Sequence, residues 1–232
     1  MARLESGAFG KFRGAIGNIV GRIRYGKHHI ALRQDKIKIS NSKGCVDNRN
    51  EFSRNHHLTH TIRSHKQLKD FWDIVDADGV NGYTRVQKRN LKFIKVDDIP
   101  PECGFTPPGD LIEISNLKVN DLVLEFDIKL NRTNPKYLEP PYDVHSLFVF
   151  TDADRPPKDN LISSLLNTQT VENETPDGIT HISLSYPDTL ISNQEYFHKT
   201  YIMIAIIKFN ELKEKYEWSG TYTKRLHTEI LK

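Results

Sequence analysis

Between Leu122 and Leu130 the side chains alternate without a break: Leu122, Leu124, Phe126, Ile128 and Leu130, with Val123, Glu125, Asp127 and Lys129 between them. A period of two puts the first set on one face of an extended strand and leaves the charged set in water. A chain that contains such a strand has to cover its apolar face with a second layer. Runs of the same type recur at Leu111–Ile114, Val144–Phe150, Ile179–Tyr186, Tyr201–Phe209 and Trp218–Leu226. Clusters rich in turn formers separate them: Asn131-Arg132-Thr133-Asn134-Pro135, then Asp152-Ala153-Asp154-Arg155-Pro156-Pro157, then Pro176-Asp177-Gly178. Six or seven strands at this spacing predict an immunoglobulin-like antiparallel β-sandwich over 110–232, with Greek-key connections. The Cys…Trp…Cys signature of antibody domains is missing, so the likeness is one of architecture.

The first half of the chain reads differently. Seven of the 13 glycines fall by residue 44, and the first five (Gly7, Gly10, Gly14, Gly17 and Gly21) are spaced 3, 4, 3, 4. That spacing would make one stripe on a helix. Each interior glycine, however, costs a helix about 1 kcal/mol relative to alanine, so turns and bulges in an extended arm are the expectation. From Asn18 a hairpin is predicted: Ile19 to Tyr25 as a strand, Gly26-Lys27 as the turn, His28 to Arg33 as the return. Asp47 to Val75 lacks Gly and Pro, and Phe52, His56, Thr59, Ile62, Leu68, Phe71, Trp72 and Val75 fall at helical spacing, which predicts one or two helices. Asp76 to Gly82 ends them with turn chemistry, and a further helix is predicted over Thr84 to Lys95. Pro100-Pro101 and Pro107-Pro108 mark a linker. The predicted organisation is α+β, mainly β: a basic Gly-rich arm, hairpin and helical segment over 1–96, a Pro-rich linker over 97–109, and the sandwich over 110–232.

Charge follows the same division. Residues 1–69 hold 15 Lys and Arg against 4 Asp and Glu, a net of +11; the remainder holds 18 against 26, a net of −8. Such asymmetry points to an acidic partner for the basic part: a protein surface, nucleic acid, or the acidic half of another copy. No apolar run approaches the roughly 20 residues of a membrane-spanning helix. The opening Met1-Ala2-Arg3-Leu4-Glu5 lacks the apolar core of a signal peptide. Cys45 and Cys103 have no CxxC partner and read as reduced thiols of a soluble cytosolic product.

His56, His57, His60 and His65 cluster, with His28 and His29 nearby in sequence. His56 and His60 have the i,i+4 spacing that a zinc site uses, but His56-His57-Leu58-Thr59-His60 lacks the HExxH glutamate and an obvious third ligand. Histidines on a basic, partly exposed helix are the expectation, with no metal. Asp76-Ala77-Asp78-Gly79 has the look of a calcium loop, but with Gly79 at position 6, Ile74 and Arg85 take positions 1 and 12, and neither supplies the oxygen needed there. Phosphate-loop and G-x-S-x-G patterns are absent. Loop carboxylates Asp152, Asp154 and Asp159 are read as solvating groups, so no catalytic residue and no cofactor is expected. The stretch Arg22-Ile23-Arg24-Tyr25-Gly26-Lys27-His28-His29 interleaves bases with one ring. It suits a phosphate backbone with Tyr25 stacking, and equally a docking arm.

The run Ser6-Gly7-Ala8-Phe9-Gly10-Lys11-Phe12-Arg13-Gly14-Ala15-Ile16-Gly17-Asn18-Ile19-Val20-Gly21, then Arg24-Tyr25-Gly26-Lys27, Asp47-Asn48-Arg49-Asn50-Glu51-Phe52 and Tyr83 to Leu91, resembles an uncharacterised domain family of Bacteroidota genomes, phages and prophages. Its pattern is G-x-x-G-x-x-x-G-x-x-G-N-x-V-G, a G-K turn, a helical stretch from an R-x-x-F, and an immunoglobulin-like sandwich. The likeness covers the first 95 residues; the chain departs from it at Ala31-Leu32-Arg33-Gln34, where Arg-Ser-x-Pro is usual. The resemblance implies no activity and no catalytic residue. Its phage association implies a virion or assembly component, in the virion or the cytoplasm of a bacterial host. The leading expectation is therefore a non-enzymatic structural protein of a phage particle (capsid, neck or tail) whose arm docks on neighbouring subunits, in a homo-oligomer or with other subunits. Phe9, Phe12, Ile16, Ile19 and Val20 would anchor the arm; Arg13, Arg22, Arg24, Tyr25 and Lys27 would make its polar contacts. The alternative is nucleic-acid binding through the basic segment, and the third reading is a sandwich-fold glycan-active enzyme using loop carboxylates.

Overall fold

The alternation of the Leu122–Leu130 run is realised over Val123–Lys129: Leu124, Phe126 and Ile128 are buried, Val123, Glu125 and Asp127 half-buried, and Lys129 exposed. The computed structural model describes residues 3–4, 12–17, 19–24, 27–32, 39–75, 79–95, 98–120, 123–130, 138–152, 154, 161–165, 168–173, 175, 178–186 and 197–226. It is an α+β fold dominated by antiparallel strands. In chain order these are β1 (Arg3–Leu4), β2 (Phe12–Ile16), β3 (Ile19–Arg24) and β4 (Lys27–Leu32); α1 (Lys43–Ser64), α2 (Lys66–Ile74) and α3 (Gly82–Leu91); then β5 (Glu113–Asn120), β6 (Val123–Lys129), β7 (Tyr142–Thr151), β8 (Leu161–Leu165), β9 (Gln169–Val171), β10 (Ile179–Ser185), β11 (Lys199–Asn210), β12 (Lys215–Trp218) and β13 (Tyr222–Leu226). Among the described residues no helix is long and apolar enough to cross a membrane.

The chain divides into two compact units, Met1–Cys45 and Val46–Lys232. In the second, β10, β6 and β5 form one sheet in that order, and β11 and β7 form the centre of another, with β12 and β13 beside β11 and β8 and β9 beside β7. Leu124, Phe126, Ile128, Ile182 and Leu184 of the first sheet share a core with Val144, Phe148, Phe150, Ile202, Ile204 and Ile206 of the second. The other face of the second sheet is buried as well. Leu147, Val149, Tyr201, Met203, Ala205 and Ile207 pack in a separate core with Leu58 and Ile62 of α1, Leu68, Phe71 and Trp72 of α2, and Val86 of α3. The unit thus has three layers: sheet, sheet, helices.

This arrangement corrects the predicted organisation. The helices belong with the sheets, and the Pro-rich stretch 97–109 lies within the second unit and is not a linker. The reason is in β11: every residue from Tyr201 to Ile207 is buried, and a strand with no polar face needs cover on both sides. Cys103, Gly104, Phe105 and Thr106 are buried beneath that cover. Asn90 clasps Gly104 twice, donating from Nδ2 to its carbonyl at 2.8 Å and accepting its N–H at 2.9 Å. The Thr221 hydroxyl accepts the N–H groups of Phe105 and Thr106 at 3.1 Å each, and Trp72 Nε1 donates to the Phe105 carbonyl at 2.8 Å. A Cβ on Gly104 would sit 2.6 Å from Thr221 Oγ1, so the close approach needs glycine.

Smaller differences have local causes. The predicted strand Trp218–Leu226 is two strands, because Ser219 to Thr221 turn aside to bond the segment around Thr106: Thr106 Oγ1 donates to the Ser219 carbonyl at 3.0 Å and Gly220 N–H donates to the Asp110 carbonyl at 2.8 Å. β8 and β9 escaped the sequence reading, being short. The third helix starts at Gly82 with Asn81 as its cap, whose side chain accepts the Thr84 N–H at 2.8 Å, and ends at Leu91. The predicted turn residues Asp76, Ala77 and Asp78 lie outside the described residues.

Replacing Asn90 with alanine would strip a buried N–H and a buried carbonyl of their partner at once. Asn90→Ala is expected to destabilise the fold by about 2–4 kcal/mol, read as a fall in the midpoint of urea unfolding, whereas Asn90→Gln tests whether the amide alone suffices.

Candidate functional site

Among the described residues, the strands of the N-terminal unit form a four-stranded sheet of order β1-β2-β3-β4. Gly17 has a positive φ of 54°, and the pairing of Ile16 with Ile19 leaves a two-residue connection between β2 and β3. The register then sorts the side chains. Ile16 pairs with Ile19, Ile19 with Leu32, Gly21 with Ile30, and Ile23 with His28. These positions share one face. Ala15 pairs with Val20, Val20 with Ala31 and Arg22 with His29 on the opposite face. The first face carries the isoleucines and Leu32 with His28 beside them; the second carries Arg22 and His29 together with Ala15, Val20 and Ala31. Ile16, Ile19, Ile23, Ile30 and Leu32 are between 40% and 78% exposed. Sheets are stabilised by a second layer packed on their apolar side.

The residues singled out from sequence distribute over both faces. Ile16 and Ile19 are adjacent on the first; Val20, half-buried, and Arg22, exposed, sit on the other. Phe12 and Arg13 lie in β2, Arg24 in β3 and Lys27 in β4. Phe9 and Tyr25 fall outside the described residues. Lys27 pairs with Arg24, so it opens the return strand and is not part of the turn, as the sequence reading had it. Ile23, Ile30 and Leu32 were not singled out. Their signal was the alternation within Ile19–Arg24 and Lys27–Leu32.

His56, His57 and His60 lie on α1, with the His56 and His57 rings edge to face at 5.9 Å. His56 Nδ1 is hydrogen-bonded to the Tyr83 hydroxyl, and His60 is exposed. His65, at the start of α2, instead meets His145 of β7 edge to face, with ring centroids 5.3 Å apart. His145 is buried, and its Nδ1 lies 3.2 Å from Thr168 Oγ1. Burial, with a smaller effect of His65, pushes its pKa down to about 4; Asp143 opposes this. Asp143 itself accepts hydrogen bonds from Gln67 Nε2 at 2.5 Å and Thr170 Oγ1 at 2.7 Å.

Of the loop carboxylates, Asp152 and Asp154 converge with His198, their donor atoms all within 4.8 Å of one another. Asp159 is outside the described residues. These three could supply metal ligands, yet each already has a partner. Asp152 accepts the Asp154 N–H at 3.0 Å, and His198 Nδ1 lies 3.5 Å from Asp152 and 3.8 Å from Asp154. An open cleft of about 600 Å³ lies at the β11–β12 end, lined by Lys208, Lys213, Lys215, Tyr216, Glu217 and Trp218 among others. Lys208 Nζ donates to the Glu139 carbonyl at 2.6 Å, and Lys213 Nζ to Glu217 at 3.1 Å. Burial raises the Glu217 pKa, but the Lys213 hydrogen bond and charge, with Asn210, outweigh it and hold the group low. Asp73 and Asp127 are also lowered, chiefly by hydrogen bonds from Arg63 and Asn116. A glycosidase acid needs the opposite shift.

No protein-family model and no curated protein matches this chain. A solved structure reported under "CC2D1B coordinates ESRCT-III activity during the mitotic reformation of the nuclear envelope" aligns over 75% of this chain and 75% of that one, at 17% identity and a TM-score of 0.22. A likeness that low carries no argument about fold or function.

His145 makes stability depend on pH. Its folded pKa lies below the ordinary 6.5, so the unfolded chain binds more protons between about pH 6.5 and 4, and stability falls as pH drops through that window. The expected loss is roughly 3 kcal/mol across it. His145→Gln, which keeps a hydrogen-bonding group beside Thr168 but does not titrate, should flatten the dependence in urea melts from pH 7 to 4.

Proposed function

We propose that this chain is a non-enzymatic structural subunit of a larger assembly, and that its N-terminal sheet docks on a neighbouring subunit. One observation carries the reading: a sheet whose Ile16, Ile19, Ile23, Ile30 and Leu32 stand exposed on one side while Arg22 and His29 stand on the other. Segregation of this kind is what a surface built to be covered requires. The setting is a phage particle, on the strength of the resemblance of the first 95 residues to a phage-associated family. The two sheets between Glu113 and Leu226 serve as an immunoglobulin-like rigid body, braced by the helical layer.

The basic face favours a second reading, nucleic-acid binding, in which Arg22 and its neighbours meet phosphate. The two readings separate in size-exclusion chromatography with light scattering and absorbance at 260 and 280 nm, run on the full chain and on a chain lacking residues 1–42. Docking predicts a full chain that associates without nucleic acid and a shortened chain that is monomeric with its main unfolding transition intact. A shortened chain that associates as the full one does would overturn docking. A complex rich in 260 nm absorbance that salt strips to protein alone would establish the nucleic-acid reading instead.

A further inference from the structure

We infer that His65 and His145 together form a binding site for a zinc-class divalent cation, at the seam between the helical layer and the sheet it covers. His65 caps the start of α2 and His145 lies in β7, so only the folded chain brings their rings together. Nδ1 of His65 and Nε2 of His145 are both buried and, among the described residues, neither has a hydrogen-bond partner. Buried polar atoms are nearly always paired, so two orphans on rings in contact call for a shared partner. The opposite nitrogens indicate its chemistry. Nδ1 of His145 lies 3.2 Å from Thr168 Oγ1; with the proton on Nδ1 and donated to that hydroxyl, Nε2 keeps a lone pair. His65 is half-buried with Nδ1 its covered nitrogen, and a proton on Nε2 leaves a lone pair on Nδ1 in the same way. Two lone pairs with no donor between them suit an electron-pair acceptor, and neutral imidazole is the commonest side-chain ligand for such a metal.

The ring geometry agrees. A metal about 2.0–2.1 Å from each nitrogen stands about 3.2 Å from each ring centre, and a tetrahedral angle then sets the centres about 5.2 Å apart. The rings of His65 and His145 are centred 5.3 Å apart and cross at 79°. The Thr168 hydroxyl beside Nδ1 is the kind of outer contact that fixes the tautomer of a ligating histidine. Protons compete poorly at His145: burial holds its pKa at about 4, so near neutral pH the ring already has the form a metal needs. Asp143, held by Gln67 and Thr170, supplies a negative charge that reaches His145 and offsets part of the cation's charge. The half-exposed ring of His65 gives the ion, and the waters that complete its coordination, a way in. With two protein ligands the site is open, and it holds zinc less tightly than a closed four-ligand site. A bound ion ties the start of α2 to β7 and stabilises the folded chain by mass action.

Zinc chloride titrated into the full chain tests this, followed by long-range proton–nitrogen NMR of the histidine rings and by thermal unfolding. The expected result is a zinc-dependent change in the nitrogen shifts of His65 Nδ1 and His145 Nε2, with an unfolding midpoint that rises with zinc. His65→Gln should weaken binding by more than about tenfold. His60→Gln on the exposed side of α1, and His198→Gln beside Asp152 and Asp154, should leave it unchanged. Binding that survives His65→Gln and is lost in either of the other two variants would overturn the site, and place the ion at the α1 histidines or the loop carboxylates. Zinc that moves neither His65 Nδ1 nor His145 Nε2 in the unaltered chain would overturn it whatever the variants do, and leave a water or a shared proton between the two rings.

Discussion

Two neighbouring strands with no polar face set the terms for everything packed around them. β7 and β11 pair along nine residues, from Asp143 opposite Ile207 to Thr151 opposite Lys199, and almost every side chain they carry is buried. One side needs the β10-β6-β5 sheet and the other needs the helices. Exposing the helix-facing side chains Leu147, Val149, Met203 and Ile207 would cost about 8 kcal/mol at roughly 2 kcal/mol each, as much as the whole net stability of an ordinary domain. The helical layer is therefore part of the fold that contains the sheets and cannot stand as a separate domain.

Apolar cover alone would not fix which segment goes where. Side chains that bond remote backbone do that. Asn90 holds Gly104, Thr221 holds Phe105 and Thr106, and Arg54 Nη1 donates to the Lys95 carbonyl at 2.6 Å while Asn55 Nδ2 donates to the Gln87 carbonyl at 2.8 Å. Each is buried, so each bond left unmade would leave a polar group without water or partner. Such groups add little net stability when satisfied and penalise every alternative packing.

The N-terminal unit shows the same period-two patterning with a different outcome. In the larger unit the alternating strands find a second layer within the fold; in the N-terminal sheet Ile30 and Leu32 stay 67% and 78% exposed. Its glycines serve this design at one clear point: Gly17 at φ 54° allows the tight reversal that sets Ile16 beside Ile19. Arg22 and His29 stand on one side of the sheet, and Ile16, Ile19, Ile23, Ile30 and Leu32 on the other.

Much of this was legible from local pattern. Alternation marks β6 and β10, helical spacing marks α1 and α2, and paired turn residues place the hairpin of β3 and β4. The pairing register was not legible: a turn at Gly26-Lys27 would set Tyr25 opposite His28, whereas Arg24 stands opposite Lys27, a shift of two residues that changes which side chains are neighbours and leaves each on its own face. Nor does composition tell an exposed Pro-rich linker from a buried segment, since Thr221 meets Phe105 across 116 residues of chain. The sequence by itself determined that strands, helices and two apolar-faced sheet regions exist, because those follow from periodicity between near neighbours. Only the tertiary structure decided which segment covers which face, because cover is a contact between residues far apart in the chain, and no local period encodes it.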